Sequence, residues 1–380
     1  MKIAIEAQRI FRANKHGMDF VALESIRQLQ KIDQANEYFI FVSPGADHCL
    51  QESANVHIIE VHCPTYPLWE QVALPRAVAK VKPDLLHCTS NTAPRFGNTP
   101  LVLTLHDIIF LEKKDGVNKS FYQNLGWYYR RWLVPHIVPL CQKIITVSKT
   151  EYTNICAKLK FDTSRLSVIH NGVSDQYKLI ENPYLVTKKY CKTPKYLLFF
   201  GSTDPRKNTI RTLKAYKLYT QKSQNALPLI ITGLSEEAID TILSENQIDG
   251  IKDKLIYPGY ISGEDLPYLY NGAFAFICAS LREGFGIPVL ESMACGTPVI
   301  TSNLSSMPEV AGQDAILVDP TDQEEIAAKL ILLEQSPDFY NQQVKYGLER
   351  AKLFSWEQTA RSLLDIYTSI KGSATGVINK

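Results

Sequence analysis

The sequence contains no apolar run approaching the roughly 18 residues that span a bilayer, which excludes a helical membrane protein. No CxxC pair, HExxH or Walker A pattern occurs, so neither a metal centre nor a P-loop finds support. Excess charge is small: 41 Lys and Arg against 39 Asp and Glu leave +2, too little for a nucleic-acid-binding field. Solenoid-length repeats and low-complexity segments are absent. The eight cysteines (Cys49, Cys63, Cys88, Cys141, Cys156, Cys191, Cys278 and Cys295) mostly lie in or beside apolar runs. They read as buried thiols of a reducing cytosol, not as disulfides or zinc ligands. Met1-Lys2-Ile3-Ala4-Ile5 reads as a short strand rather than a secretory signal. The expected location is cytoplasmic.

The 380 residues, 45% hydrophobic and 21% charged, suffice for two domains with full cores. Short β-branched runs alternate with amphipathic stretches. Strands are predicted at Lys2–Glu6, Tyr38–Val42, Val56–Ile59, Leu85–Cys88, Leu101–Leu105 and Ile144–Val147, with helices near 18–31, 71–81, 119–140 and 149–159. A second series has strands at Tyr196–Phe200, Leu229–Thr232, Lys254–Tyr257, Phe274–Cys278 and Val299–Thr301, and helices near 208–222, 235–246, 264–271, 288–295 and 322–335. Such alternation implies α/β architecture: two Rossmann-like, doubly wound domains with an interdomain cleft. The expected division is residues 1–172, residues 173–354, a helix at 355–371 returning to the first domain, and a tail at 372–380.

Ligands of open α/β sheets bind beyond the carboxyl ends of the strands, which directs attention to a few loops. In Arg282-Glu283-Gly284-Phe285-Gly286-Ile287-Pro288-Val289-Leu290-Glu291, two carboxylates flank a glycine-rich turn and a proline suited to open a helix. The amides of Phe285, Gly286 and Ile287 are then available to an anion or to hydroxyls. Gly201-Ser202-Thr203-Asp204-Pro205-Arg206-Lys207-Asn208 places two cations beside a helix start, as in a phosphate clamp, with Asn208 as the N-cap. His106 is either a core histidine or a contact to a donor sugar. Asp107 holds an acceptor hydroxyl or caps the next segment. His16 is a general base oriented by Asp19, or a solvated residue beside a capping Asp19. Glu309 reads as structural. The stretch Lys119–Cys141 mixes Trp127, Tyr128, Tyr129 and Trp132 with Lys119, Arg130 and Arg131, and either packs within the domain or rests on an anionic membrane.

These motifs resemble the retaining GT-B glycosyltransferases of family 4. Gly201–Asn208 resembles the family's PRKN loop, and Glu283 through Glu291 its E-x7-E motif. The resemblance continues through Ala294–Ile300, Pro308–Gly312 and Leu317–Pro320, and in the first half through His106-Asp107, Thr146–Ser148 and Asn171–Val173. Bacterial polysaccharide mannosyltransferases are the most similar in character. Many members carry a GIGRY-like element where this chain has His16-Gly17-Met18-Asp19-Phe20, a departure that bears on acceptor contacts.

The resemblance implies that Arg206 and Lys207 hold the donor diphosphate, that Glu283 with the Phe285 and Gly286 amides binds the transferred sugar, and that Glu291 binds the ribose. It assigns His106 a sugar contact, and Gly17 and Gly201 close approach to the donor. It also implies transfer with retention, in which the leaving phosphate takes the acceptor proton. No cofactor and no metal are expected. The expected product is a surface polysaccharide or lipopolysaccharide, built by moving a hexose, mannose from GDP-mannose, onto a saccharide or lipid-linked acceptor, with peripheral contact at the inner face of the cytoplasmic membrane. The alternatives are a GT-B nucleotide-sugar epimerase and a non-catalytic sugar-nucleotide-binding subunit.

Overall fold

The computed structural model describes residues 1–112 and 121–375. Lys119 and residues 376–380, named above in the aromatic–basic stretch and the tail, lie outside them. Met1–Gly172 together with the segment from Ser355 forms one unit, and Val173–Phe354 forms the other.

The first unit is built on strands β1 (Lys2–Glu6), β2 (Glu37–Val42), β3 (Val56–Glu60), β4 (Leu85–Cys88), β5 (Leu101–Leu105), β6 (Lys143–Thr146) and β7 (Leu166–Val168). They pair in the order β3-β2-β1-β4-β5-β6-β7, all parallel. Alternation along β1 feeds two apolar layers. Ile3 and Ile5 enter one, and Ala4 enters the other. The layer beneath Ile3 is filled by Ala22, Leu23, Ile26 and Leu29 of helix Gly17–Ile32 and by Ala360, Leu363, Tyr367 and Ile370 of helix Trp356–Thr375. A Cβ on Gly172 would stand 2.2 Å from the backbone nitrogen of Trp356, so the chain there passes the start of that helix at a distance only glycine permits.

Two expectations are corrected in this unit. The helix expected near 71–81 starts earlier, as Tyr66–Leu68 followed by a π-helical turn at Trp69–Ala73, before α-helix Leu74–Val81. Pro75 has no N–H to donate, and the Leu74 amide reaches back five residues to the Trp69 carbonyl. The final helix runs on through residue 375 instead of yielding to a tail at 372. Gly372 does not stop it, since an interior glycine costs a helix only about 1 kcal/mol relative to alanine.

The second unit contains β8 (Tyr196–Phe200), β9 (Leu229–Thr232), β10 (Leu255–Ile256), β11 (Ala273–Cys278), β12 (Val299–Ser302) and β13 (Ile316–Val318), again all parallel, in the order β10-β9-β8-β11-β12-β13. Helices Thr209–Lys222 and Gln323–Gln335 pack together over one apolar layer. The unit's two ends meet where the Val173 amide donates to the Phe354 carbonyl at 3.1 Å.

Candidate active site

In the second unit, the loop after β8 is fixed before any side chain is aimed. Gly201 donates to the Thr232 carbonyl at 2.8 Å. Asp204 accepts from the Arg206 amide at 3.1 Å and so starts the short 3-10 turn Pro205–Lys207. Asn208 occupies the N-cap position of helix Thr209–Lys222, but its side chain does not cap. It sits at φ +61° and donates to the carbonyls of Ala279 at 2.9 Å and Pro320 at 2.6 Å. The loops after β8, β11 and β13 are thereby tied together, and the Leu281 amide adds a bond to the Arg206 carbonyl at 2.7 Å.

This framework sets the Lys207 ammonium 2.7 Å from Glu283 Oε1. The pair is only partly covered, with side-chain exposures of 42% and 16%. Burial pulls the ammonium pKa down and the Glu283 carboxylate pushes it up; the carboxylate prevails, and Lys207 stands above the ordinary lysine value. Arg206 is disposed differently. Its guanidinium grips Asp204 through two bonds of 2.9 and 2.5 Å. The two cations that share a loop therefore have different partners.

Glu283 is held from several sides. Ser280 Oγ donates to Oε1 at 2.8 Å, the Glu283 amide donates to Ser305 Oγ at 3.1 Å, and its carbonyl accepts from Ser305 and Ser306. Ser305 lies at φ +59°, a strained conformation for a serine, at the point where it braces this loop. Sequence reasoning missed all three serines. The only signal is position: Ser280 follows β11, and Ser305 and Ser306 follow β12.

Gly286, at φ +112°, turns the chain into helix Ile287–Ala294, with Pro288 at the second helical position rather than the first. A Cβ there would approach Met307 Cε to 2.4 Å. The Phe285 side chain is core, packed edge-on against Phe354 at 5.9 Å. The first amides of a helix have no intrahelical partner, which leaves the backbone of Gly286 and Ile287 as the donor element of this turn.

Glu291, a turn into the helix, faces two tyrosines. Tyr270 donates to Oε2 at 2.9 Å, and Tyr177, whose ring meets that of Tyr270 at 5.8 Å, brings a second hydroxyl to bear on the carboxylate. Burial pushes the Glu291 pKa up to about 7, against the lowering pull of the two hydroxyls. Neither tyrosine was found from the sequence. Glu309 belongs to helix Met307–Ala311, and its carbonyl accepts from Arg350 at 2.6 Å.

In the first unit, His106 is buried. Its Nε2 faces the Thr89 carbonyl at 2.8 Å, so that nitrogen carries the proton. Burial holds its pKa below the ordinary histidine value. Its amide donates to Asn91 Oδ1 at 2.6 Å. Asp107 Oδ1 accepts from the Ile109 amide at 3.0 Å, just ahead of the turn Ile109–Leu111, whose N-cap position is Ile108. Asp19 is buried and reaches back to the His16 amide at 2.9 Å, closing the start of helix Gly17–Ile32. His16 itself is exposed. A Cβ on Gly17 would meet nothing within 4 Å. Packing therefore does not require glycine there, unlike at Gly201, where a Cβ would stand 2.9 Å from Leu234.

Residues 188–350 match the sequence profile of glycosyl transferases group 1, and residues 16–177 that of glycosyltransferase family 4. O-antigen chain mannosyltransferase RfbU of Salmonella typhimurium is 30% identical over 273 residues, 68% of this chain and 72% of that protein. The chain belongs to glycosyltransferase family 4.

O-antigen chain mannosyltransferase B of Escherichia coli is 34% identical over 229 residues, 59% of the chain. The chain spans 60% of that relative's length, and only 39% of a longer E. coli mannosyltransferase that matches 80% of it. Sucrose-phosphate synthase from Thermosynechococcus elongatus shares the GT-B fold, with a TM-score of 0.74 at 19% identity over 98% of this chain and 100% of that one. In this family 4 chain, the second unit brings together a cation, two carboxylates and helix-terminal amides, a set able to hold a phosphorylated polyol.

Proposed function

We propose that this chain transfers a hexose from a nucleotide sugar to a growing glycan or lipid-linked saccharide in surface-polysaccharide assembly. The donor is GDP-mannose, and the anomeric configuration is retained. The observation that carries the reading is the Lys207–Glu283 pair at 2.7 Å, in the loops after β8 and β11. The mannosyltransferase relatives, named for the O-antigen chain, support the sugar and the pathway class.

The chemistry follows from charge. As the bond between C1 and the phosphate oxygen breaks, negative charge builds on the diphosphate and positive charge on C1. Lys207 and the helix-terminal amides of Gly286 and Ile287 address the first. Arg206, braced by Asp204, extends the positive field. Once the donor takes over the ammonium, Glu283 is left to accept hydroxyls of the sugar, and Glu291 to accept those of the ribose. The acceptor hydroxyl bonds C1 on the face the phosphate leaves, and its proton passes to the departing phosphate oxygen. The products are a glycoside and a nucleoside diphosphate, and no dedicated base is needed. In the first unit, His106 Nδ1 is the hydrogen-bond-accepting nitrogen of a neutral ring, suited to a sugar hydroxyl, while Gly17 keeps an open backbone for the donor. The acceptor is assigned to the carboxyl ends of the first unit's strands, near His16, Asp19 and Asp107.

We further propose that helix Phe121–Ile137 touches an anionic membrane. Leu125, Tyr128 and Trp132 form an exposed stripe, while Leu133, Val134 and Ile137 are buried. Arg95 stacks between Trp132 and Phe96, the latter 74% exposed. Among the described residues no helix is long and apolar enough to cross a membrane.

A panel of nucleotide sugars with saccharide acceptors tests the central reading. Turnover should be fastest with GDP-mannose, and product NMR should show the donor's anomeric configuration. Faster turnover of a UDP-sugar removes mannose, an inverted product removes retention, and no transfer from any donor removes the transferase reading.

A further inference from the structure

In a parallel sheet all strand carboxyl ends lie on one edge. In the first unit this edge gathers Arg9 after β1, Tyr66 after β3, Thr92 after β4 and Asp107 after β5. Beneath them lies a fully buried carboxylate, Glu70, set in the π-helical turn. It accepts from Tyr66 at 2.7 Å, Thr92 at 2.5 Å, Tyr129 at 2.5 Å and Gln71 at 2.9 Å. Tyr66 and Tyr129 meet edge to face at 6.0 Å, and the Arg9 guanidinium lies 4.8 Å over the Tyr66 ring. Arg9 is thus held by stacking on a ring whose hydroxyl is itself pinned. Its Nε is buried without a hydrogen-bond partner among the described residues.

Arg130, from helix Phe121–Ile137, lies in the field of Arg9, Tyr66 and Asp107. It too lacks a hydrogen-bond or ion-pair partner among the described residues. Three acids face this pair. Glu70 is committed to four donors. Glu6 is buried, bonded to the amides of Gln8 and Thr89, and burial raises its pKa toward the neutral form. Asp107 has one oxygen engaged by Ile109. Two guanidiniums offer five N–H donors each, so donors outnumber the remaining acceptors.

We propose that Arg9 and Arg130 form a phosphate-binding subsite in the first unit. A planar guanidinium fork matches two phosphate oxygens. The phosphate belongs either to the donor or to a phosphorylated acceptor. The subsite goes beyond the proposed function and does not depend on the Lys207 clamp.

The test is calorimetry with inorganic pyrophosphate on the full chain. In a Lys207→Ala background pyrophosphate still binds, and Arg9→Gln and Arg130→Gln each weaken it by about tenfold or more. In the unaltered chain, pyrophosphate shields both arginines from phenylglyoxal, read by mass spectrometry, so the test survives a variant that fails to fold. No binding in the Lys207→Ala protein, affinity indifferent to both arginines, or unshielded arginines would each overturn the subsite. GDP affinity that falls with the arginine variants identifies the donor as the source. Unchanged GDP affinity with a raised KM for a phosphorylated acceptor identifies the acceptor. If arginine-dependent pyrophosphate binding persists while no sugar is transferred, the function proposed above fails and the subsite stands.

Discussion

Glu283 and Glu291 share a side chain and a motif, yet their surroundings assign them different work. Glu283 is partly open and faces a cation. Removing that cation should leave the fold intact, because Ser280 and Ser305 still hold the loop. Lys207→Ala is expected to lower turnover by about 10²–10³, or roughly 2.7–4 kcal/mol of transition-state stabilisation. Single-turnover rates and melting curves check this, and a near-normal rate in a folded variant would remove Lys207 from the mechanism. Glu291 is half-buried beside two tyrosine hydroxyls, and the partial burial pushes its pKa up to about 7, above its ordinary 4.5. The fold therefore disfavours its ionised form. That penalty is absent below pH 4.5, grows as pH rises through about 7, and is constant above. If the ionised carboxylate accepts ribose hydroxyls, nucleoside diphosphate affinity should fall as pH drops below about 7. The Tyr270 bond lowers this pKa, so Tyr270→Phe should move the midpoint upward. A pH-independent affinity across this range, or a midpoint unmoved by Tyr270→Phe, would count against the ribose role.

At the scale of elements, the sequence was most legible where apolar runs were long. Buried parallel strands such as Tyr196–Phe200 carry their own signal. The three-residue strands β7 and β13 do not, because so short a segment has no period to read. Helix Pro337–Ala351 was missed because its sequence is largely polar; Ser336, which caps it by accepting the Phe339 amide, was the available cue. The E-x7-E frame was legible from Gly286 and Pro288. Its bracing by Ser305, Ser306, Tyr177 and Tyr270 was not, since those contacts join residues distant in sequence. Helix Phe121–Ile137 shows the same division: its aromatics were visible, but which ones turn outward was decided by packing. Replacing exposed Tyr128 and Trp132 with serine should reduce co-sedimentation with anionic liposomes and leave neutral-liposome binding and melting unchanged. Equal sedimentation of variant and parent would dismiss membrane contact by this stripe.

At the scale of the molecule, the chain order makes the two units unequal as folding units. Val173–Phe354 is continuous, and its ends are joined by a backbone bond. The first unit is interrupted: residues 1–172 lack the helix that supplies Leu363, Tyr367 and Ile370 to the core beneath β1. Each such side chain contributes about 1.5–3 kcal/mol on burial, so losing three approaches the whole margin of about 5–15 kcal/mol that keeps a domain folded. A specific bond is lost as well. Tyr367 bonds His87 Nδ1 at 2.7 Å, on a ring whose other nitrogen faces Thr104 at 2.8 Å and whose pKa burial drives down to about 3. A fragment of residues 173–354 should melt cooperatively and retain Lys207-dependent binding of a nucleoside diphosphate, since Lys207, Glu283 and Glu291 all lie within it. A fragment of residues 1–172 should melt without cooperativity until residues 355–375 are supplied in trans or joined by a linker. Cooperative unfolding of the shorter fragment alone would show that the returning helix is dispensable to this core.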